Sequence, residues 1–163
     1  MTIPRQVSDQ PVTKSITVKA TAKRAFDVFT AGIDTWWPRE HHIGKSPMKR
    51  CVIETRLGGR CYCEQEDGTD SDWGQVIAWE PPRRFVMAWQ INSAWQYEPD
   101  LAKCSEVEVR FTAEPGGSTR VDLEHRFFGR VGPGGEAMRA MVDQPMGWGL
   151  TLQKFAAEAD RAN

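Results

Sequence analysis

The sequence predicts an α+β domain in which a curved antiparallel sheet wraps a long C-terminal helix, with two short helices after the first strand. Three observations carry this reading. Residues 48 to 127 mostly alternate apolar and polar side chains, with breaks at Gly58 and Gly59, Asp67 and Gly68, and Pro81 and Pro82. Trp148, Leu152, Phe155 and Ala159 recur at helical spacing and form one apolar stripe. The 163 residues suit one domain, long enough to bury a core without disulfide or metal staples.

Residues 1–13 lack periodicity and carry Pro4 and Pro11, which predicts an irregular tail ahead of a single domain over 14–163. Residues 14 to 20 alternate as a strand. Thr21 is placed to cap a short helix whose apolar side is Ala25, Phe26, Val28 and Phe29 and whose stop is Gly32. Asp34 is expected to cap a second turn holding Trp36 and Trp37, ending before Pro38. These two rings either gate an entrance or staple the short helices to the sheet.

In the strand region, Trp73, Gln75, Ile77 and Trp79 fall on one face and Gly74, Val76 and Ala78 on the other. Phe85, Met87, Trp89 and Ile91 likewise oppose Arg84, Val86, Ala88 and Gln90. Residues 92 to 102 break the pattern with Pro99 and read as a loop whose Trp95 and Tyr97 either form a lid or pack on the sheet. The last hairpin sets Ser105, Val107, Val109 and Phe111 on an apolar face with Val121, Leu123, His125 and Phe127. A turn at Pro115, Gly116 and Gly117 then pairs Phe111 with Val121, Val107 with His125, Arg110 with Asp122 and Glu106 with Arg126. The same register opposes Glu108 to Glu124, a mild penalty. After a glycine-rich connection the chain turns helical at Glu136, and Pro145 opens the final helix with Asp143 or Gln144 as its cap.

Charge is balanced, 21 Lys and Arg against 22 Asp and Glu, with no basic cluster, so neither nucleic acid nor a polyanionic membrane patch is an expected partner. No apolar run approaches the roughly 20 residues of a membrane span and residues 1–10 hold no signal-type segment, which predicts a cytoplasmic protein. Cys51, Cys61, Cys63 and Cys104 are expected as free thiols, and their spacing lacks the zinc-knuckle pattern. Cys61 and Cys63 share a strand face and read as packing. His41 and His42 are adjacent and point apart, so no metal or other cofactor is expected.

The seven Trp and seven Phe must either fill an oversized core or line a cavity. A gap between sheet and helix is the natural ligand site, with Trp73, Gln75, Met87, Trp89, Phe111, His125, Trp148 and Leu152 as its wall. His125 points inward, where burial lowers its pKa; it is either a tied-up core residue or a general acid or base for a bound carbonyl compound. No Gly-x-Ser-x-Gly nucleophile elbow is present.

The ordered set Gly58 and Gly59, Asp67 and Gly68, Gly74 to Val76, Trp79 to Pro82, Trp89, Ser105 to Phe111, Thr119 to His125, and Gly147 with Trp148 carries a family resemblance. It resembles the activator of heat-shock-protein-90 ATPase homologue family, in the START-like or SRPBCC superfamily, from about Ser15 to Asp160. The resemblance implies a helix-grip fold with a deep hydrophobic cavity between the sheet and the C-terminal helix. In the wider superfamily members bind lipids, hormones and polyketides, some act as cyclases or hydrolases, and the founding co-chaperones stimulate a chaperone ATPase. The expected partner is a small or medium hydrophobic molecule, bound without catalysis. A chaperone partner stays open but is disfavoured, since only residues 1–13 precede the first strand; the sequence assigns no oligomeric state.

Overall fold

Seven strands pair into one curled antiparallel sheet in the order β1-β7-β6-β5-β4-β3-β2, and the C-terminal helix lies in its concave face. The computed structural model describes residues 10–161. The strands are β1 (Val12–Val18), β2 (Met48–Ile53), β3 (Arg60–Gln65), β4 (Asp70–Glu80), β5 (Arg84–Trp89), β6 (Ser105–Ala113) and β7 (Thr119–Arg126). The helices are α1 (Ala22–Phe29), α2 (Gly135–Asp143) and α3 (Leu150–Arg161). β1 begins at Val12, two residues ahead of the expected start, because Val12 and Thr13 pair with His125 and Glu124. Of the rest of the expected tail, Gln10 and Pro11 precede the strand without regular structure, and residues 1–9 lie outside the described residues.

Thr21 caps α1 as its residue type predicts, its hydroxyl accepting from Arg24 N at 3.1 Å. The apolar side of α1 enters the core, where Phe26 meets Trp79, Phe85 and Phe111, and Phe29 meets Phe155 of α3. Asp34 does not cap the next turn; it lies inside a single 3₁₀ turn over Ile33–Thr35. Its carboxylate instead accepts from Cys51 N at 2.9 Å and from Arg39, tying this turn to β2. Trp36 is the staple: its indole N–H donates to Val28 O, and its ring packs on Phe29 and Phe155.

The β6–β7 register matches the sequence expectation at every predicted pair. The Glu108–Glu124 opposition is relieved by Arg126, whose Nη1 donates to both carboxylates, while Arg84 donates to Glu108 from β5. Past Arg126 the alternation stops. Phe127 adopts the left-handed region at φ 67° and is exposed, between Arg126 and Arg130, and Phe128 takes the inward place against His125.

In β4 the expected faces are wrong, and two bulges explain it. Cys61 pairs with Gly74 and Tyr62 with Asp72, leaving Trp73 unpaired; Val76 pairs with Met87 and Ala78 with Val86, leaving Ile77 unpaired. Each extra residue reverses the in-out parity. Residues directly opposite each other share a face, so Gly74, Val76 and Trp79 join Trp89, Met87 and Phe85 inside, while Gln75 joins Ala88 outside. Gly74 permits the approach, since a Cβ there would meet Ala88 O at 2.7 Å.

Residues 92–100 form a tight excursion rather than a plain loop. Asn92 Oδ1 accepts from the N–H groups of Ala94 and Gln96, Ile91 bridges to Tyr97, and Trp95 sits at φ 59°. The final helix starts later than its apolar stripe suggests. Gln144 and Pro145 do open the segment, but Pro145–Gly149 is a wide turn kinked at Gly147, and Trp148 belongs to it. Among the described residues no helix is long and apolar enough to cross a membrane.

Candidate ligand-binding cavity

A cavity of about 460 Å³ opens where the ends of β4 and β5 meet the segment after the 3₁₀ turn, the end of α2 and the kinked turn before α3. Its size falls in the range of small-molecule sites. Five of the chain's seven tryptophans line it: Trp37, Trp73, Trp89, Trp95 and Trp148. Four of these close a ring of contacts. Trp37 stacks on Trp73 at 5.6 Å and 12°, Trp73 meets Trp89 edge-on at 5.6 Å, Trp89 meets Trp148 at 5.7 Å, and Trp148 returns to Trp37 at 6.0 Å. Offset stacks and edge contacts are the arrangements that ring quadrupoles favour, so the wall is preformed and stiff.

Three of the four ring tryptophans have a local reason for their place. The Trp73 bulge pushes that ring inward. Trp37 Nε1 donates to His41 O at 2.8 Å, which closes the segment after Pro38 into a turn and brings His41, His42 and Ile43 to the cavity. Trp148 is held by the kink at Gly147, where a Cβ would strike Val142 O at 2.3 Å. The mouth is rimmed by exposed Glu40, Trp95, Met141 and Met146. Burial holds the His41 pKa below its ordinary value, with Lys154 adding to the effect and Glu40 opposing it.

Of the eight residues expected to form the wall, Trp73, Trp89 and Trp148 line the cavity and five do not. Gln75 is on the outer face of the sheet, for the bulge reason above. Phe111 belongs to the Phe26, Phe29 and Phe85 cluster at the other end of the barrel. Met87 and Leu152 are inward and fully packed in the core. His125 is sealed behind the wall. Trp148 Nε1 donates to its Nδ1 at 3.1 Å, Ser105 Oγ lies 2.8 Å from its Nε2, and Phe128 covers it at 4.5 Å. Burial pushes its pKa down to about 3, so the ring is neutral, and both nitrogens are already engaged. A general acid or base for a bound carbonyl compound needs a free nitrogen facing that compound, which His125 lacks.

Sequence reasoning did not place Trp37, His42, Met141, Met146 and Thr151 at the cavity. The sequence offers Trp37 as a gate or a staple, and the others sit in segments without strand alternation. Cys51 and Cys63 face each other across β2 and β3, and both are buried. The Cys51 thiol is pushed up by its hydrogen bond to Cys63 and by burial. Among the described residues no three His, Cys, Asp or Glu side chains gather as a metal site.

A curled antiparallel sheet gripping a C-terminal helix over an aromatic cavity defines a helix-grip domain. The chain belongs to the family described as Activator of Hsp90 ATPase homolog 1-like protein, matched over residues 19–160. Among solved structures it is similar to Txn09, an anthrahydroquino-gamma-pyrone synthase, at 36% identity and TM-score 0.65, covering 94% of this chain and 99% of that one. It is also similar to CalC of Micromonospora echinospora, a self-sacrificing resistance protein, at 33% identity and TM-score 0.70, covering 96% and 97%. CalU16 of the same organism, at 22% identity and TM-score 0.60 over 92% and 75%, shares the fold. No curated protein sequence matches the chain.

Proposed function

We propose that this protein binds a flat, largely apolar aromatic molecule in the tryptophan-walled cavity. The observation that carries the reading is the closed ring of Trp37, Trp73, Trp89 and Trp148 beside about 460 Å³ of space. Stiff indole faces offer a planar guest large contact area at low entropic cost, and burial contributes about 25 cal/mol per Å² before association costs. The relative named for an anthrahydroquino-gamma-pyrone synthase supports a polycyclic guest. Four unpaired cysteines fit a reducing compartment such as the cytoplasm. The same relative's name favours a second, catalytic reading; here the chemistry would fall to Glu40, His41 or His42 on the cavity wall rather than to His125.

Native mass spectrometry of the protein purified from its own host tests the binding reading. A retained small molecule is expected, and Trp89→Ala should weaken its uptake about tenfold or more while the circular dichroism spectrum is kept. Uptake unchanged by Trp89→Ala would remove this wall from the function.

A further inference from the structure

Cys51 and Cys63 stand directly opposite each other on β2 and β3, and the ladder between these strands leaves them an open pair. Glu54 N donates to Arg60 O at 2.9 Å, so residues 54 and 60 are a hydrogen-bonded pair. Antiparallel ladders alternate, which leaves 53 with 61 open, bonds 52 with 62, and leaves 51 with 63 open. The Cys51 N–H agrees, since it donates away from β3 to the Asp34 carboxylate at 2.9 Å. Opposed Cα atoms of an open pair lie about 4.5 Å apart, inside the roughly 4.4–6.8 Å that disulfides span.

The other two thiols are not so placed. Cys61 lies opposite Ile53 and Gly74. From Cys63 it is two residues along one strand with its Cβ parallel, about 6.6 Å away where a bridge needs about 3.5–4.5 Å. The Cys104 sulfur sits on the carbonyls of Glu98 and Asp100, and burial pushes that thiol up to about 11.

Trp73 supplies an independent sign. The residue is 4% exposed, and its indole N–H has no nitrogen or oxygen partner but faces the Cys63 sulfur. The Cys51 thiol donates to the same sulfur and lowers its pKa against the raising effect of burial; the Trp73 N–H and the Arg39 charge add to the lowering, and Asp34 opposes it. Cys63 is thus the nucleophile of the pair and Cys51 the thiol that resolves it.

We propose that Cys51 and Cys63 form a reversible cross-strand disulfide when the protein meets a small hydroperoxide. The Cys63 thiolate attacks one peroxide oxygen, the O–O bond breaks, and hydroxide leaves a sulfenic acid on Cys63. The Cys51 sulfur then attacks the Cys63 sulfur; the S–S bond forms, the S–O bond breaks, and water departs with the Cys51 proton. Two thiols lose two electrons and two hydrogens, and the peroxide becomes two waters. A dithiol reductant reverses the change. The proposal stands on the strand geometry and is independent of the cavity's guest.

The test treats the reduced full chain with a few equivalents of hydrogen peroxide, then alkylates the free thiols in denaturant for mass spectrometry. The expected product is a monomer lighter by two hydrogens with two alkylated cysteines, restored by dithiothreitol. Trypsin with chymotrypsin cuts at Tyr62 between Cys61 and Cys63, so the link should join residues 51–56 to 63–73. Cys51→Ser should instead leave a sulfenic acid on Cys63 that dimedone traps, and Cys63→Ser should react about tenfold or more slowly. Four thiols surviving an exposure that oxidises glutathione would overturn the proposal, as would a link to Cys61 or Cys104 or one formed only between chains. The unmodified protein decides these outcomes without any variant having to fold.

Discussion

The Trp148 indole N–H donates to Nδ1 of His125 at 3.1 Å, from the kinked turn before α3 to the last inward residue of β7. Because an indole only donates, Nδ1 must carry the lone pair, and the ring hydrogen sits on Nε2, where it reaches Ser105 Oγ at 2.8 Å. One neutral imidazole thus links β6, β7 and the cavity wall. The role of His125 is to fix where Trp148 stands.

Stability should report this link. Ser105→Ala strands a dry N–H and Trp148→Phe strands a dry lone pair, and each is expected to cost about 1–3 kcal/mol by urea denaturation. The double variant should depart from the sum by about 0.5 kcal/mol or more, since both substitutions act on one ring. Strict additivity would mean the imidazole does not couple the two elements.

Acid sensitivity follows from the same burial. The His125 pKa falls from 6.5 in the open chain to about 3 in the folded one. Between those values the unfolded chain binds a proton that the folded chain refuses. Stability is therefore highest above about pH 6.5 and falls as pH drops toward 3, by up to about 1.4 kcal/mol per unit for this group. His125→Gln should lose that slope between pH 6 and 4, even if it is less stable at pH 7. Parallel profiles for the two proteins would contradict the buried neutral ring.

Glu108 has the opposite sign. Burial raises its pKa, but the hydrogen bonds from Arg84 and Arg126 outweigh this and hold the carboxyl below its ordinary value. Its contribution is present above about pH 4.5 and disappears as pH falls through the folded value. Glu108→Gln should cost about 1–3 kcal/mol at pH 7, with the cost shrinking near pH 3, as chemical denaturation at the two pH values can measure. A cost that is the same at both would assign the loss to packing instead.

The limits of sequence reading are visible in particular residues. The β6–β7 hairpin is legible pair by pair because two alternating strands meet across a Pro-Gly-Gly turn, so parity alone fixes the register. The remedy for its like-charged pair is not legible, since Arg126 reaches Glu108 across the sheet rather than along the chain. Gln75 was misplaced because a bulge adds one residue without leaving a compositional trace, and Phe127 because a left-handed residue ends the alternation. Periodicity says which side chains point inward, as it did for Met87, Phe111 and Leu152. It does not say which inward residues face space and which face each other. That depends on how separate segments converge, and the segment bearing Trp37 and His42 has no period from which to read it.

Gly147 gives the sharpest local test of how the wall is held. A Cβ there would lie 2.3 Å from Val142 O, 2.8 Å from Val142 C and 3.0 Å from Met141 O, all backbone atoms at the end of α2 that cannot swing aside. Two residues on, Gly149 has open space around the same position. Gly147→Ala must therefore push the turn off α2, carrying Trp148 away from His125 and from the Trp37 and Trp89 rings. Its cost is expected at about 1–3 kcal/mol, with a changed near-ultraviolet circular dichroism spectrum and weaker uptake of the aromatic guest. Gly149→Ala, as the control, should be neutral or stabilising by up to about 1 kcal/mol, with the spectrum and uptake unchanged. If both variants behave alike, the close approach at Gly147 does not set the position of Trp148.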